Sequence, residues 1–322
     1  MKTLAAIFSL LLLPWGLPGT WAQERYPSKP IKLIVPLGPG TVNDVVARTV
    51  GELLSRDLKT EISVEYKAGA GGVVGSDFVA KSSPDGYTVG VLNSSALTNS
   101  PAMMAKPPYD PLRDFTPLAN VGANPALVAI NAASPWKTLD DFLTHARKNP
   151  GKVSCGTSGV GTSGHFNLEL LKGAAGVQIN HVPYKGGSPQ NITALLGGHI
   201  DCASQIWPAV AGHVKGGKLR VLAVTSQVKE FPQLPTFAQS GFPQVTLEVS
   251  FGFYGPANLS KDVTEKLVPA FEKAINDPET SAKLEKAGFP VAYEGPKVLS
   301  DRIARELTLS REVAQKAGIR PE

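Results

Sequence analysis

Short apolar runs alternate with Gly/Ser-rich turns and helical repeats along most of the chain. Ile31-Lys32-Leu33-Ile34-Val35 reads as a buried strand, followed by a Gly/Pro turn at 36–44. Val46, Val50, Leu53 and Leu54 then recur at helical spacing, with Asn43 or Asp44 as the expected cap. Residues 62–66 predict a second strand, which ends in Ala68-Gly69-Ala70-Gly71-Gly72 before another helix. Residues 87–92 predict a third, ending at Asn93-Ser94-Ser95. Two β-rich runs, 115–119 and 126–130, look like a crossing into a second unit.

The second unit repeats the order. A helix is expected over 134–148, with Leu139, Phe142 and Leu143 on its apolar side. Residues 152–155 lead as a strand into Gly156-Thr157-Ser158-Gly159-Val160-Gly161-Thr162-Ser163-Gly164-His165. Phe166, Leu170, Leu171 and Ala174 continue it as a helix. Strands are expected at 179–182, 200–205 and 219–224, with a helix through Ile192, Leu195 and Leu196. Residues 245–254 predict a second crossing, and a charged helical tail from Lys261 returns to the first unit. Strand–loop–helix repetition predicts an α/β protein with mainly parallel sheets covered by helices. Two lobes are expected, 23–121 plus 250–322 and 122–249, with the loops at the strand ends converging on one cleft.

That convergence gives the Gly/Ser loops a chemical meaning. A glycine turn opening a helix presents backbone N–H groups where the helix dipole is positive, which suits a phosphate or carboxylate. Gly159-Val160-Gly161-Thr162-Ser163-Gly164 spells a dinucleotide-like GxGxxG. The strand after it ends in His181-Val182-Pro183-Tyr184-Lys185 and lacks the acid such a site needs for a ribose. Ser158 and Ser163 raise the alternative of an exported serine hydrolase, but neither lies in a GxSxG elbow, and His165 is too close in sequence to serve Ser163 as a base. N-capping and ligand hydrogen bonds suit these hydroxyls better. The histidines at 145, 165, 181, 199 and 213 lack metal-site spacing and read as isolated, so no metal or cofactor is expected. Asp44 is read either as a helix cap or as a partner for a ligand amine. Tyr184, Trp207 and Phe253 are candidates for packing on a ligand body, with core packing the stronger reading.

Composition narrows the class. The 322 residues are 42% hydrophobic and 18% charged, with a net charge of +5 spread along the chain. Such a chain folds as a globular protein, and without a basic run it gives no footprint for nucleic acid. Lys2, the apolar stretch 4–13 and the small residues at 19–22 form a secretory signal, with cleavage expected after Ala22. No later stretch is apolar enough to span a membrane. Cys155 and Cys202 are either a disulfide, which export permits, or two buried thiols.

The motifs also carry a resemblance. Tyr26-Pro27-Ser28-Lys29-Pro30-Ile31, Ala68-Gly69-Ala70-Gly71-Gly72, Pro84-Asp85-Gly86-Tyr87-Thr88 and Pro183-Tyr184-Lys185-Gly186-Gly187 resemble segments of the solute receptors of tripartite tricarboxylate transporters, the Bug family. So do the loop ending at His165, Leu195-Leu196-Gly197-Gly198-His199-Ile200-Asp201 and the run 217–226. The resemblance implies a monomeric, two-lobed periplasmic binding protein of the flytrap type. It would capture a small organic carboxylate and deliver it to a membrane permease. A ligand-binding sensor that presents the closed lobes to a signalling protein is the other non-enzymatic alternative. The family's first loop corresponds here to Leu37, Gly38, Pro39, Thr41, Val42, Asn43 and Asp44. Its second-lobe loops correspond to Ser158, Gly161, Thr162, Ser163 and His165, and to Tyr184, Lys185 and Gly186. Gly71, Asn93, Ser94 and Gln205, at the ends of neighbouring strands, complete the candidate site. One departure stands out: Thr41 occupies a place where the family has glycine, and its hydroxyl is expected to substitute for a backbone contact.

Overall fold

The computed structural model describes residues 26–184 and 187–320. The signal segment, Lys185 and Gly186 therefore lie outside the described residues. The first five-stranded sheet holds β1 (Ile31–Val35), β2 (Ile62–Tyr66), β3 (Thr88–Asn93), β4 (Phe115–Asn124) and β10 (Val249–Pro256) in the order β2-β1-β3-β10-β4. The second holds β5 (Ala126–Asn131), β6 (Val153–Thr157), β7 (Ile179–Pro183), β8 (Cys202–Ile206) and β9 (Leu219–Val224) in the order β7-β6-β8-β5-β9. Each sheet has three adjacent parallel strands and one reversed strand, β10 in the first and β5 in the second. Only Pro125 separates β4 from β5, so the chain passes directly from one sheet to the other.

Helices cover both sheets. They are α1 (Val42–Leu58), α2 (Val73–Ala80), α3 (Ser100–Met103, continuing a wide turn over Ser95–Asn99), α4 (Leu139–Lys148), α5 (Ser163–Ala175), α6 (Gly187–Leu196), α7 (Trp207–Lys215), α8 (Lys261–Asn276), α9 (Pro278–Lys286) and α10 (Pro296–Ala317). The apolar stripe of α1 (Val46, Val50, Leu54) packs with Leu33 and Val35 of β1 in the first core. The second lobe's core is built on Val128, Phe142, Leu143, Leu168, Leu171 and Ile179. α10 packs on β4 of the first sheet and also touches α5 of the second. Val313, Ala314 and Ile319 there share one apolar cluster with Phe166 and Leu247.

Local departures from the expected elements have specific causes. The cap position of α1 is Thr41, with extended backbone (φ −75°, ψ 164°), so Asn43 and Asp44 lie inside the first turn. The helix expected over 134–148 begins at Leu139. Thr138 Oγ1 accepts from Asp141 N at 3.1 Å while Asp141 Oδ2 accepts from Thr138 N at 3.0 Å, a reciprocal cap that fixes the start. The strand expected over 245–254 begins at Val249, because the Asn167 side chain takes both backbone groups of Leu247, at 3.1 and 2.6 Å. Cys155 and Cys202 are register partners on neighbouring parallel strands and form a disulfide, which settles the open pairing. Trp207 packs on Phe231 and Phe253 stacks on Phe271, so both belong to cores.

Candidate functional site

The cleft between the sheets closes over a cavity of about 180 Å³. Its second-lobe wall comes from the turn between β6 and α5, the start of α6 and the end of β8. Gly164 is required here: a Cβ would lie 2.4 Å from Ser204 O, so only glycine lets α5 descend onto β8. Gly161, at φ +82°, holds a left-handed backbone that favours glycine, and Met103 of the first lobe packs over it. Thr162 caps α5 by accepting His165 N at 3.4 Å, which leaves the N–H groups of Ser163 and Gly164 without a helical partner.

Four of the sequence-predicted residues, Ser158, Thr162, Ser163 and Gln205, line this cavity together. Ser158 Oγ and Ser188 Oγ are 2.8 Å apart, and they approach Gln205 Oε1 at 3.0 and 2.8 Å. Gln205 is 2% exposed and its Nε2 has no partner. From the first lobe, Ser95 Oγ meets Ser163 Oγ at 3.1 Å, and Asn99 Nδ2 donates to the same oxygen at 3.3 Å. Ser95, Ser188 and Ser204 were not singled out from the sequence, although the first two sit in the loops that were.

Other predicted residues build the walls rather than face the cavity. His165 Nδ1 accepts the Gly161 N–H at 3.3 Å, which shapes the turn. Burial, helped by His181 and Lys172, pushes the His165 pKa down to about 3, so the ring is neutral. His165 also stacks on His181 with ring centres 3.9 Å apart, so these two histidines are not isolated as the sequence suggested. Asn43 donates to Val91 O at 2.7 Å, and Asn93 Oδ1 accepts Ala96 N at 3.0 Å, so both carboxamides are used inside the first lobe. Ser94 Oγ accepts Ser250 N at 3.1 Å and so binds the crossing strand.

Asp44 is also occupied. Its carboxylate accepts from Gly40 N, Arg48 Nε and Tyr66 OH, each at 2.8 Å. Burial pushes its carboxyl up, but Gly40, Tyr66 and Arg48 together hold it below its ordinary value. Asp44 is therefore not the cap residue of α1, which is Thr41; its carboxylate instead braces the turn that leads into the helix. Thr41 Oγ1 donates to Gly38 O at 2.8 Å, so its hydroxyl braces the loop rather than replacing a ligand contact. Leu37, Gly38, Pro39 and Val42 form the rest of that turn outside the cavity's lining, and Gly71 is exposed on the neighbouring one. Tyr184 borders a separate, more open depression with Pro189 and His199 on the outside of the second lobe. No group of three or more His, Cys, Asp or Glu among the described residues has metal-site geometry. Within those residues, no helix is long and apolar enough to cross a membrane.

Residues 46–319 match the model of the tripartite tricarboxylate transporter family receptor. Protein BugT of Bordetella pertussis is 33% identical over 280 residues, covering 86% of this chain and 84% of BugT. A solved periplasmic transporter superposes with a TM-score of 0.78 at 34% identity, covering 92% of this chain and 99% of that one. The R. palustris protein Rpa4515, solved with adipate, gives 0.78 at 27% identity, covering 92% of this chain and all of that one. The two-lobed α/β architecture, the glycine turns and these matches lead to one assignment: this chain belongs to the tripartite tricarboxylate transporter receptor family.

Proposed function

We propose that this chain is a periplasmic receptor that captures a small organic carboxylate between its lobes and delivers it to a membrane permease. The observation that supports this most is the cavity itself. Gln205 and the head of α5 line it together with Ser95 of the opposite lobe, which Ser163 touches, in a chain of this receptor family. Charge-assisted hydrogen bonds to helix N-termini hold a carboxylate without an arginine. Residues 23–121 plus 250–322 and 122–249 act as the two closing bodies. Ser158, Thr162, Ser163 and Gln205 hold the ligand from one side. The first turn of α1 adds N–H groups from the other, next to Leu37, Gly38, Pro39 and Val42. Ligand bridging the lobes favours the closed state in proportion to its extra contacts there.

The hydrolase alternative lacks a base. Ser163 Oγ is bonded to Ser95 and Asn99, and the adjacent His165 nitrogen is committed to Gly161. A thermal-shift screen of the mature chain against a carboxylate panel tests the receptor reading. At a hundredfold excess over Kd the expected stabilisation is about 2.7 kcal/mol. A shift with uncharged solutes but none with carboxylates overturns it, as does ester turnover that disappears in Ser163→Ala.

A further inference from the structure

We infer that His165 and His181 are positioning residues for the ligand: a stacked pair of imidazoles behind the cavity wall that holds the segment 157–165 in its receiving shape. The inference rests on the receptor reading above and deepens it. It follows from how that segment divides its residues between the cavity and the two rings.

Ser158, Thr162, Ser163 and Gly164 line the cavity, whereas Thr157, Gly159, Gly161 and His165 do not. The second set is where the imidazoles attach. His165 Nδ1 accepts the Gly161 N–H at 3.3 Å. His181 Nε2 lies 2.7 Å from Thr157 Oγ1, and that oxygen accepts the Gly159 N–H at 3.3 Å. The rings stack with centres 3.9 Å apart and planes 14° from parallel, which ties α5 to β7. Thr162 Oγ1 closes the arrangement by donating to Gly159 O at 2.8 Å. Ser158 therefore sits between two held neighbours. The cavity-lining run 162–164 sits between Gly161 and His165, which are bonded to each other.

The His165 ring has one orientation and one proton position. Nδ1 meets Gly161, while Nε2 faces Glu169 Oε1 at 4.0 Å, and Glu169 pairs with Lys172 at 2.7 Å. Turning the ring over would put carbon in both places. The proton therefore sits on Nε2, and Nδ1 keeps its lone pair. Burial first, then His181 and Lys172, hold the pKa down to about 3, so the lone pair persists in neutral solution. Without that acceptor the buried Gly161 N–H is unpaired, and a backbone that shifts to satisfy it carries Thr162 and Ser163 with it. Binding groups held out of place cost affinity, because the ligand must first restore them.

The test separates the ring from the acceptor. His165→Phe keeps a stacked ring but offers no acceptor; His165→Asn sets Oδ1 near the Nδ1 position but gives up the ring. Each mature chain is titrated calorimetrically with succinate, malate, glutarate, adipate and citrate, beside its unliganded Tm. The expected result is that the parent's tightest ligand binds His165→Phe about tenfold weaker or more and His165→Asn within about threefold of the parent, although His165→Asn has the lower Tm. Unchanged affinity in His165→Phe, or an Asn variant that binds no better than the Phe variant, overturns the inference and leaves the receptor reading standing. Thr157→Val removes the oxygen that joins His181 to Gly159 and should also weaken binding; unchanged affinity overturns the role given to His181. Long-range 1H–15N spectra of the parent should show His165 protonated on Nε2 alone, and an Nδ1–H ring overturns the inference without any ligand. A parent that binds none of these carboxylates removes the receptor reading and this inference together.

Discussion

Ser95 and Ser163, which belong to different lobes, place their hydroxyl oxygens 3.1 Å apart across the cleft. Asn99 adds a second bond to Ser163 from the same side. Each such neutral bond contributes about 1 kcal/mol net. Ser163→Ala removes both, about 2 kcal/mol, so ligand affinity should weaken roughly 25-fold, at roughly 1.4 kcal/mol per decade. Calorimetric titration beside an unliganded Tm separates this effect from misfolding. An unchanged Kd would show that these bonds do not hold the lobes together.

Asp44 should matter for the fold rather than for ligand charge. Asp44→Asn leaves one side-chain oxygen where the carboxylate accepts Gly40, Tyr66 and Arg48. The expected loss is about 1–3 kcal/mol, read from urea unfolding. Because the folded-state pKa is lowered, Asp44 contributes stability above the unfolded value. That contribution is lost as pH falls from the ordinary carboxylate range through the folded pKa. The variant's deficit should therefore shrink in acid.

Glu306 titrates in the opposite sense. Burial raises its carboxyl to about 7; Arg302 opposes this, Glu248 adds to it, and Ser94 lowers it. Tyr254, packed beside it, also feels the Glu306 charge. The native state thus retains a proton that the unfolded chain releases near 4.5. Stability from this group is complete below 4.5 and falls as pH rises towards 7, by on the order of 3 kcal/mol. Glu306→Gln should flatten the Tm profile between pH 5 and 7.5 relative to the parent. A parallel profile would remove Glu306 as its source.

The Cys155–Cys202 bridge joins β6 to β8 directly behind the Ser158 and Gln205 wall and closes 47 residues. Replacing both cysteines by alanine should cost roughly 2–4 kcal/mol in unfolding experiments. The same loss should follow reduction of the parent chain, and no loss in either would show that the bridge does not constrain the unfolded state.

Hydrophobic periodicity revealed most of the architecture because it reports burial directly: β1 as an apolar run broken only by the exposed Lys32, α1 as a stripe. The glycine loops marked where a cavity belonged. Which side chains enter it was hidden, because that depends on how each strand end is turned. Asn93 and Ser94 face inward, and Ser95, one residue further on, faces Ser163. Thr41 looked like a ligand contact, yet a carbonyl three residues earlier takes its hydroxyl. The His165–His181 stack joins a helix to a strand, and no sequence period relates the two.

The contact of α10 with α5 bears on how wide the cleft can open. Phe166 and Leu247 share an apolar seam with Val313, Ala314 and Ile319 of the tail, while Met103 packs on it from the first lobe. Swinging the lobes apart about their crossing strands wets this seam, and wetted apolar area costs about 25 cal/mol per Å². In the proposed closure the tail would then act as a return spring wound by water. Part of the free energy of closure is stored in the chain before any ligand arrives, and ligand affinity includes the setting of that spring.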